Sequence, residues 1–134
     1  MYETLYKEFL KSNDTLRIYR DGTLIFSSTK DRLIPLVEYL DDEDARNRQV
    51  VILDKVTGNA AAFLSLLAGC TELYSRLGSE IAAETLTKHS VTFHFDETVP
   101  YIQQVNSTEM CPMENLSLGK SPEEFYQALL GKIR

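Results

Sequence analysis

The chain has 134 residues and a formal net charge of −6, with 43% apolar and 25% charged residues. This length suits one domain, residues 1–134, with a sizeable hydrophobic core, and the composition is typical of soluble globular proteins. No apolar run approaches the roughly 20 residues that span a bilayer. The charged opening "MYETLYKEFLKS" lacks the apolar middle of a signal peptide. We therefore expect a cytoplasmic protein with no membrane partner.

The negative net charge also indicates which kinds of partner the protein is suited to bind. A protein that binds a phosphate backbone presents a basic surface, so the charge argues against DNA or RNA as a partner. The acidic cluster Asp41–Asp44 is typical of a solvated loop. The two cysteines, Cys70 and Cys111, fit reduced thiols in a cytosolic protein rather than a disulfide.

Apolar periodicity predicts three elements in the first third of the chain. Apolar residues spaced three and four apart over residues 2–9 predict an amphipathic helix. Alternation on both sides of Asp21-Gly22 predicts a β-hairpin, because these residue types accept the positive φ of a tight turn. Leu33–Leu40 forms a second helical pattern, with Pro35 in its first turn, where a missing N–H costs little.

The middle of the chain alternates strands and helices. The uninterrupted apolar run Val50–Leu53 predicts a strand that is buried on both faces. Residues Gly58–Ala68 predict a helix that is apolar nearly all round. "TELYS" follows as a short strand, and Ser79 caps a helix that runs to Lys88. Alternation over Val91–Phe95 predicts the last strand.

The tail combines an irregular segment with a final helix. We expect a short helix at Pro100–Val105 and then, over residues 106–134, an irregular segment with the letters "CPME" and a C-terminal helix that packs on the body. Ser121, Pro122 and Glu124 form the capping box of that helix.

The order of these elements predicts the architecture. Strand–helix–strand units with short connections require parallel pairing and right-handed crossovers. The sequence therefore predicts an α/β protein, a three-layer α-β-α sandwich around a five-stranded mixed sheet.

Ionisable residues follow each predicted parallel strand. The predicted strand ends are Asp54-Lys55, Ser75-Arg76 and Asp96-Glu97. Ligands of open α/β sheets bind outside the carboxyl ends of the strands, so these residues mark a candidate site. Solvated strand ends of this kind also occur without any function, and both interpretations stay open.

The segment Thr57-Gly58-Asn59 begins the helix after the first of these ends. The first N–H groups of a helix lack internal partners and carry the positive end of its dipole, which favours an anion. Gly58 allows close approach to the backbone, and Lys55 adds a full charge. The segment lacks the glycine spacing of a phosphate-binding loop.

The "CPME" segment is the second candidate. Cys111 lies between Glu109 and Glu114, in a stretch without apolar periodicity. Cys111 would be a nucleophile if a nearby cation lowered its pKa, or a metal ligand together with Glu114. The third interpretation is a buried cysteine that packs against Met110 and Met113.

Two motifs carry a resemblance to a known family. "DKVTGNAAA" at residues 54–62, followed about fifty residues later by "CPME" at residues 111–114, resembles an uncharacterised bacterial family of small cytidine-deaminase-like domains. The resemblance implies a sheet in the order 2-1-3-4-5 and a crevice over the ends of its central strands. The residues that it implies around this crevice are Arg32, Asp54, Lys55, Asn59, Cys111 and Glu114.

The zinc chemistry of deaminases does not carry over. These enzymes hold zinc through a His-x-Glu and a Pro-Cys-x-x-Cys motif. The corresponding positions here, near 30–32 and at 54–58, contain neither histidine nor cysteine. Without these ligands no metal would activate a water, so we expect no metal, no cofactor and no zinc-dependent deamination.

Three functions follow as hypotheses, and whether the protein is an enzyme stays open. The first is a binding domain for a small anionic or nucleotide-like ligand, with contacts from Arg32, Lys55, Thr57, Gly58, Asn59 and Arg76. The second is an enzyme whose catalytic residues would be Asp54, Lys55, Cys111 and Glu114. The third is a homodimeric interaction module without a site, with contacts from Tyr101, Ile102 and Val105.

Overall fold

The computed structural model describes residues 2–133. Within this range no helix is long and apolar enough to cross a membrane. In chain order the elements are α1 (Tyr2–Lys11), β1 (Leu16–Arg20), β2 (Thr23–Ser28), α2 (Ile34–Leu40), a 3-10 helix (Glu43–Ala45), β3 (Val50–Thr57), α3 (Asn59–Leu67), β4 (Cys70–Ser79), α4 (Glu80–Lys88), β5 (Thr92–Val99), α5 (Pro112–Ser117) and α6 (Pro122–Ile133).

The five strands form one mixed sheet in the order β2-β1-β3-β4-β5. β1 is antiparallel to both β2 and β3, whereas β3, β4 and β5 run parallel. Helices α3 and α4 are the crossovers between the parallel strands. The predicted five-stranded α/β sheet is confirmed, as is the strand order that the resemblance implied.

Strand β3 supplies both faces of the core. Val51 and Leu53 pack with Tyr6 and Phe9 of α1 on one face of the sheet. Ile52, between them in sequence, belongs to the larger core on the opposite face, with α2, α3, α4 and α6. Successive side chains of a strand point to opposite faces, so an uninterrupted apolar run is required here.

Helix α3 is enclosed on all sides, as its apolar composition predicts. Every residue from Asn59 to Ser65 is buried. The sheet lies beneath α3 and α6 lies against it, with the rings of Phe63 and Phe125 5.9 Å apart. The tail therefore completes the core on this face.

Several local signals are confirmed. Asp21 and Gly22 have the positive φ values, 51° and 80°, of a hairpin turn. The Ser79 hydroxyl accepts the backbone N–H of Ala82 at 3.0 Å and caps α4. The capping box of α6 is reciprocal: the Ser121 N–H donates to the Glu124 carboxylate at 2.8 Å, and the Glu124 N–H donates to the Ser121 hydroxyl at 3.1 Å.

The predicted ends of the parallel strands are wrong. β3, β4 and β5 continue to Thr57, Ser79 and Val99, so Asp54-Lys55 and Arg76 lie inside strands. The parallel ladder uses backbone groups alone, and it continues through polar positions such as the pair Thr57 and Gly78.

The predicted helix at Pro100–Val105 is also wrong. The chain there forms turns and an isolated bridge between Gln103 and Met110. The short helix is α5, inside the segment predicted to be irregular, and Pro112 is at its first position.

Gly78 allows β4 and β5 to pack closely. A Cβ atom at this position would lie 2.2 Å from ring carbons of Phe95. We expect Gly78→Ala to lower the free energy of unfolding by about 1–3 kcal/mol, because the ring must move. Gly131→Ala is the matched control, since nothing lies near its Cβ position. It should raise stability by about 0.5–1 kcal/mol through helix propensity. Urea denaturation measures both, and equal effects would contradict this account.

Candidate functional site

A buried carboxylate lies at the carboxyl ends of β3 and β4. Glu114 of α5 is only 1% exposed. Its Oε1 accepts the backbone N–H of Asn59 at 2.6 Å and the hydroxyl of Ser79 at 2.9 Å. Its Oε2 accepts the backbone N–H of Ile102. Three donors from three segments thus hold one side chain of the tail.

The first turn of α3 explains why an anion is held there. Asn59 is the first residue of this helix, so its N–H has no partner within the helix and carries part of the positive dipole. Gly58 leaves the approach open. A Cβ atom there would lie 2.9 Å from Ile102 Cγ1 and 3.3 Å from Glu114 Oε1. Its φ of −85° is ordinary, so the requirement for glycine is one of space.

Side-chain hydrogen bonds extend this arrangement to α4 and α5. Asn59 Nδ2 donates to the Ser117 hydroxyl at 3.0 Å, and the Thr85 hydroxyl donates to Asn59 Oδ1. The Ser117 hydroxyl in turn donates to the carbonyl of Glu114 at 2.6 Å. Asn59 therefore joins three helices, as a satisfied buried polar group should.

The anion at the start of α3 is thus part of the chain itself. The sequence predicted a ligand at Gly58 and Asn59, and the Glu114 carboxylate lies there. The sequence indicated Gly58, Asn59 and Glu114 as site residues, but it did not identify Ser79 and Ile102 as their partners. Ser79 could have been predicted, because the sequence identified it as the cap of α4 and the start of α4 lies at the same edge of the sheet.

Asp54 is a second buried carboxylate, within β3. Its oxygens accept the N–H of Val56 and the hydroxyl of Thr57, each at a long 3.4 Å. Burial raises the pKa of Asp54 to about 7, and these hydrogen bonds offset only part of that effect. Thr57, a predicted ligand contact, is fully buried, and its hydroxyl donates to this carboxylate.

Lys55 has different partners from Asp54, although the two residues are adjacent. Its ammonium donates to the carbonyl of Ser12 at 3.0 Å and lies 4.7 Å from the centre of the Phe9 ring. Burial lowers the pKa of Lys55, and the nearby charge of Arg76 lowers it further, while the Asp14 and Asp54 carboxylates offset part of this effect. Asp54 and Lys55 form no ion pair with each other.

Lys55 and Arg76 contribute to a positive region on the α1 side of the strand ends. Arg17 also lies there, 5.8 Å from the centre of the Phe9 ring, but it is ion-paired with Asp14 at 2.7 Å. Within residues 2–133, neither Lys55 nor Arg76 forms an ion pair. Two cations in a protein of negative net charge therefore form no ion pair with a described carboxylate.

Polar and aromatic side chains lie beside this positive region. The Tyr6 hydroxyl donates to Asp96 Oδ2 at 2.8 Å, and His94 Nε2 lies 2.8 Å from Asp96 Oδ1. The rings of Tyr74 and His94 are 6.4 Å apart. Burial and the Asp96 carboxylate raise the pKa of Tyr6, so this phenol remains a donor.

The remaining predicted residues lie apart from one another. Arg32 is exposed at a φ of 58° in the loop before α2, and its side chain makes no hydrogen bond or ion pair with any described residue. Cys111 is half-buried at the start of α5, where its N–H donates to the Ile102 carbonyl at 2.7 Å. No described residue hydrogen-bonds its thiol. Across residues 2–133, no three His, Cys, Asp or Glu side chains form a metal-binding group.

The residues predicted for a dimer contact differ in their exposure and in their contacts. Val105 is 71% exposed. Ile102 is half-buried and faces Gly58, while the Tyr101 hydroxyl donates to the carbonyl of Thr108 at 2.7 Å. Only Val105 of the three therefore presents a largely free apolar side chain.

The pKa of Asp54 predicts a pH-dependent stability. A carboxyl whose pKa rises from 3.8 to about 7 on folding binds its proton more tightly in the folded state. Stability is therefore lost as the pH rises from about 4 to about 7. Asp54→Asn lacks this loss. We therefore expect its free energy of unfolding, relative to that of wild type, to rise by up to about 4 kcal/mol between pH 4 and pH 8. Urea denaturation at several pH values measures the difference. The exposed Asp31→Asn is the control, and a pH-independent effect of Asp54→Asn would contradict the assignment.

Comparison with known proteins agrees with this fold. The profile of a domain of unknown function, DUF1893 (TM1506), matches residues 4–133. No curated protein matches the sequence. The crystal structure of a DUF1893 family protein (TM1506) from Thermotoga maritima is similar, with a TM-score of 0.87 and 29% sequence identity. The match covers 98% of this chain and 88% of that chain. The chain belongs to the DUF1893 family.

Proposed function

We propose that this domain binds a small anionic ligand near the carboxyl ends of β3 and β4, on the face covered by α1. Lys55 and Arg76 are its cationic contacts. The observation that carries the proposal is the strand register: Lys55 and Arg76 lie side by side on β3 and β4, between the paired positions Asp54–Ser75 and Val56–Leu77. Neither forms an ion pair with another of residues 2–133. Like charges brought together repel, and an anion between them would remove that repulsion.

The charge of the whole chain strengthens this argument. The protein has 20 acidic and 14 basic residues, so carboxylates outnumber the cations with which they can pair. The carboxylates around these cations have other partners: Asp14 is ion-paired with Arg17, and Asp96 accepts the Tyr6 hydroxyl. Asp54 is buried within β3. A locally positive region in an acidic protein favours anions over neutral ligands and concentrates them at this point.

The neighbouring rings extend the proposal to nucleotide-like ligands. Tyr74 and His94 are partly exposed beside the cations, and their rings offer stacking surfaces for a planar base. A ligand with a phosphate on Arg76 and Lys55 and a ring on Tyr74 would use both features. The sheet order 2-1-3-4-5 supports a relationship to cytidine deaminases, whose substrates are nucleosides, and we propose that relationship as well.

The test compares single and double variants of the two cations. Thermal shift and calorimetry with inorganic phosphate, AMP, CMP and adenosine should show binding of the phosphate-bearing compounds by wild type. We expect Lys55→Ala and Arg76→Ala each to weaken binding about tenfold, since charge-assisted hydrogen bonds contribute roughly 1.5–3 kcal/mol.

Lys132→Ala is the matched control, because it removes the same charge from an exposed position of α6, on the opposite face of the sheet. It should bind like wild type. Identical responses of wild type and of the Lys55→Ala, Arg76→Ala double variant to every compound would refute the proposal. If adenosine bound as tightly as AMP, only the role of the two cations in binding phosphate would be refuted.

A further inference from the structure

We infer that Asp21 is a site of spontaneous backbone modification, at which aspartate converts to isoaspartate through a cyclic imide, and that the Tyr2 hydroxyl controls the rate of this conversion. Asp21 lies in the turn between β1 and β2, at the edge of the sheet where β3 begins. The proposed anion site lies near the other edge, where β3 ends. The inference therefore goes beyond the proposed function and does not depend on it.

The sequence sets Asp21 apart from the other aspartates of the chain. It is the only aspartate in the sequence that a glycine follows. Closure of the imide ring requires that the backbone nitrogen of the next residue reaches the carboxyl carbon of the aspartate side chain. A side chain on that next residue hinders the approach, and Gly22 has none. Asp21 is therefore the aspartate with the smallest steric barrier to the reaction.

The reaction needs no reactant besides water. The Gly22 nitrogen attacks Cγ of the protonated Asp21 carboxyl group. A C–N bond forms, the bond from Cγ to the hydroxyl breaks, and this hydroxyl leaves as water with the proton of the nitrogen. A water molecule then adds to one of the two carbonyls of the ring. Opening at Cγ restores aspartate, whereas opening at the α-carbonyl leaves a main chain that runs through Cβ and Cγ, which is isoaspartate.

The turn is exposed, but it must open before the ring closes. Asp21 is exposed and has a φ of 51°, and Gly22 has a φ of 80°, so both residues are in the left-handed region. The imide ring fixes ψ of the aspartate outside the values of that region. Exposed loop tips open locally at a small cost in free energy, because few buried contacts hold them.

Tyr2 of α1 opposes this opening. Its hydroxyl accepts the Gly22 N–H, the attacking nitrogen of the reaction, at 3.0 Å. The Tyr2 ring packs edge-on against the Tyr19 ring of β1, with the ring centres 5.9 Å apart, and this contact positions the hydroxyl. The nitrogen has to leave the hydroxyl before it turns toward the carboxyl carbon. The rate of modification therefore depends on how often this hydrogen bond is broken.

Isoaspartate would alter the hairpin. It adds one carbon atom to the main chain of a two-residue turn, whose length determines how the flanking strands pair. Arg20 and Thr23 pair across this turn. The longer chain between them is incompatible with the same closing pair, and it moves the Gly22 N–H away from Tyr2. We therefore expect the isoaspartate form to have a lower melting temperature than the unmodified protein.

The test follows isoaspartate in the folded protein during incubation at neutral pH. Enzymatic methylation of isoaspartyl groups quantifies the product, and peptide mapping locates it. We expect wild type to accumulate isoaspartate at position 21. Tyr2→Phe should do so about two- to tenfold faster, the factor that corresponds to the net contribution of one hydrogen bond. Asp21→Glu should form no product at this position, because its longer side chain disfavours ring closure.

Tyr6→Phe is the matched control, because it removes a hydroxyl from the same helix that donates to Asp96 and not to the turn. It should react at the wild-type rate, and acceleration equal to that of Tyr2→Phe would refute control by Tyr2. In urea, wild type and Tyr2→Phe should react equally and faster than folded wild type. Folded wild type that reacts as fast as the unfolded chain would refute this control even if Tyr2→Phe does not fold. A folded wild type without isoaspartate at Asp21, when the unfolded chain forms it, would refute the modification site.

Discussion

The hydrogen bonds between Glu114 and the first turn of α3 are the constraint on which the rest of the structure depends. They fix the tail over the ends of β3 and β4, where a Cβ atom at position 58 would lie 3.3 Å from Glu114 Oε1. They also bring α6 into place, since α5 and α6 are separated by only four residues. With α6 in place, α3 is enclosed on every side, and its alanine-rich sequence becomes a core element.

This constraint divides the carboxyl end of the sheet into two chemically different halves. On the α3 side, the chain satisfies its own donors with its own carboxylate. On the α1 side, Lys55 and Arg76 remain without ion-pair partners among the described residues. Ligands of open α/β sheets bind where the parallel strands end. At this edge, one face holds an internal carboxylate and the other carries the two cations of the proposed site.

The sequence predicted the elements better than it predicted their ends. The apolar run before Asp54 showed that β3 is buried on both faces, but the polar residues after it suggested a strand end. The strand continues because its ladder bonds are made by backbone groups of β4, which a local pattern does not report. The partner of Glu114 lies 55 residues away, at Asn59. Periodicity carries no information about contacts of that separation, so the CPME segment could be singled out but not placed.

Burial of Asp54 and Lys55 at this edge of the sheet opposes the charged forms of both side chains and so lowers the stability of the fold. Burial raises the pKa of one and lowers the pKa of the other, so each side chain would be more stable in its charged form if it were better solvated or paired. They are neighbours in sequence, yet the alternation of β3 gives them separate surroundings and prevents a mutual ion pair. A fold under selection for stability alone would replace one of them by an apolar residue. Residues that break this local rule are expected where a protein binds or acts, so Asp54 and Lys55 support the proposed site on β3 and β4.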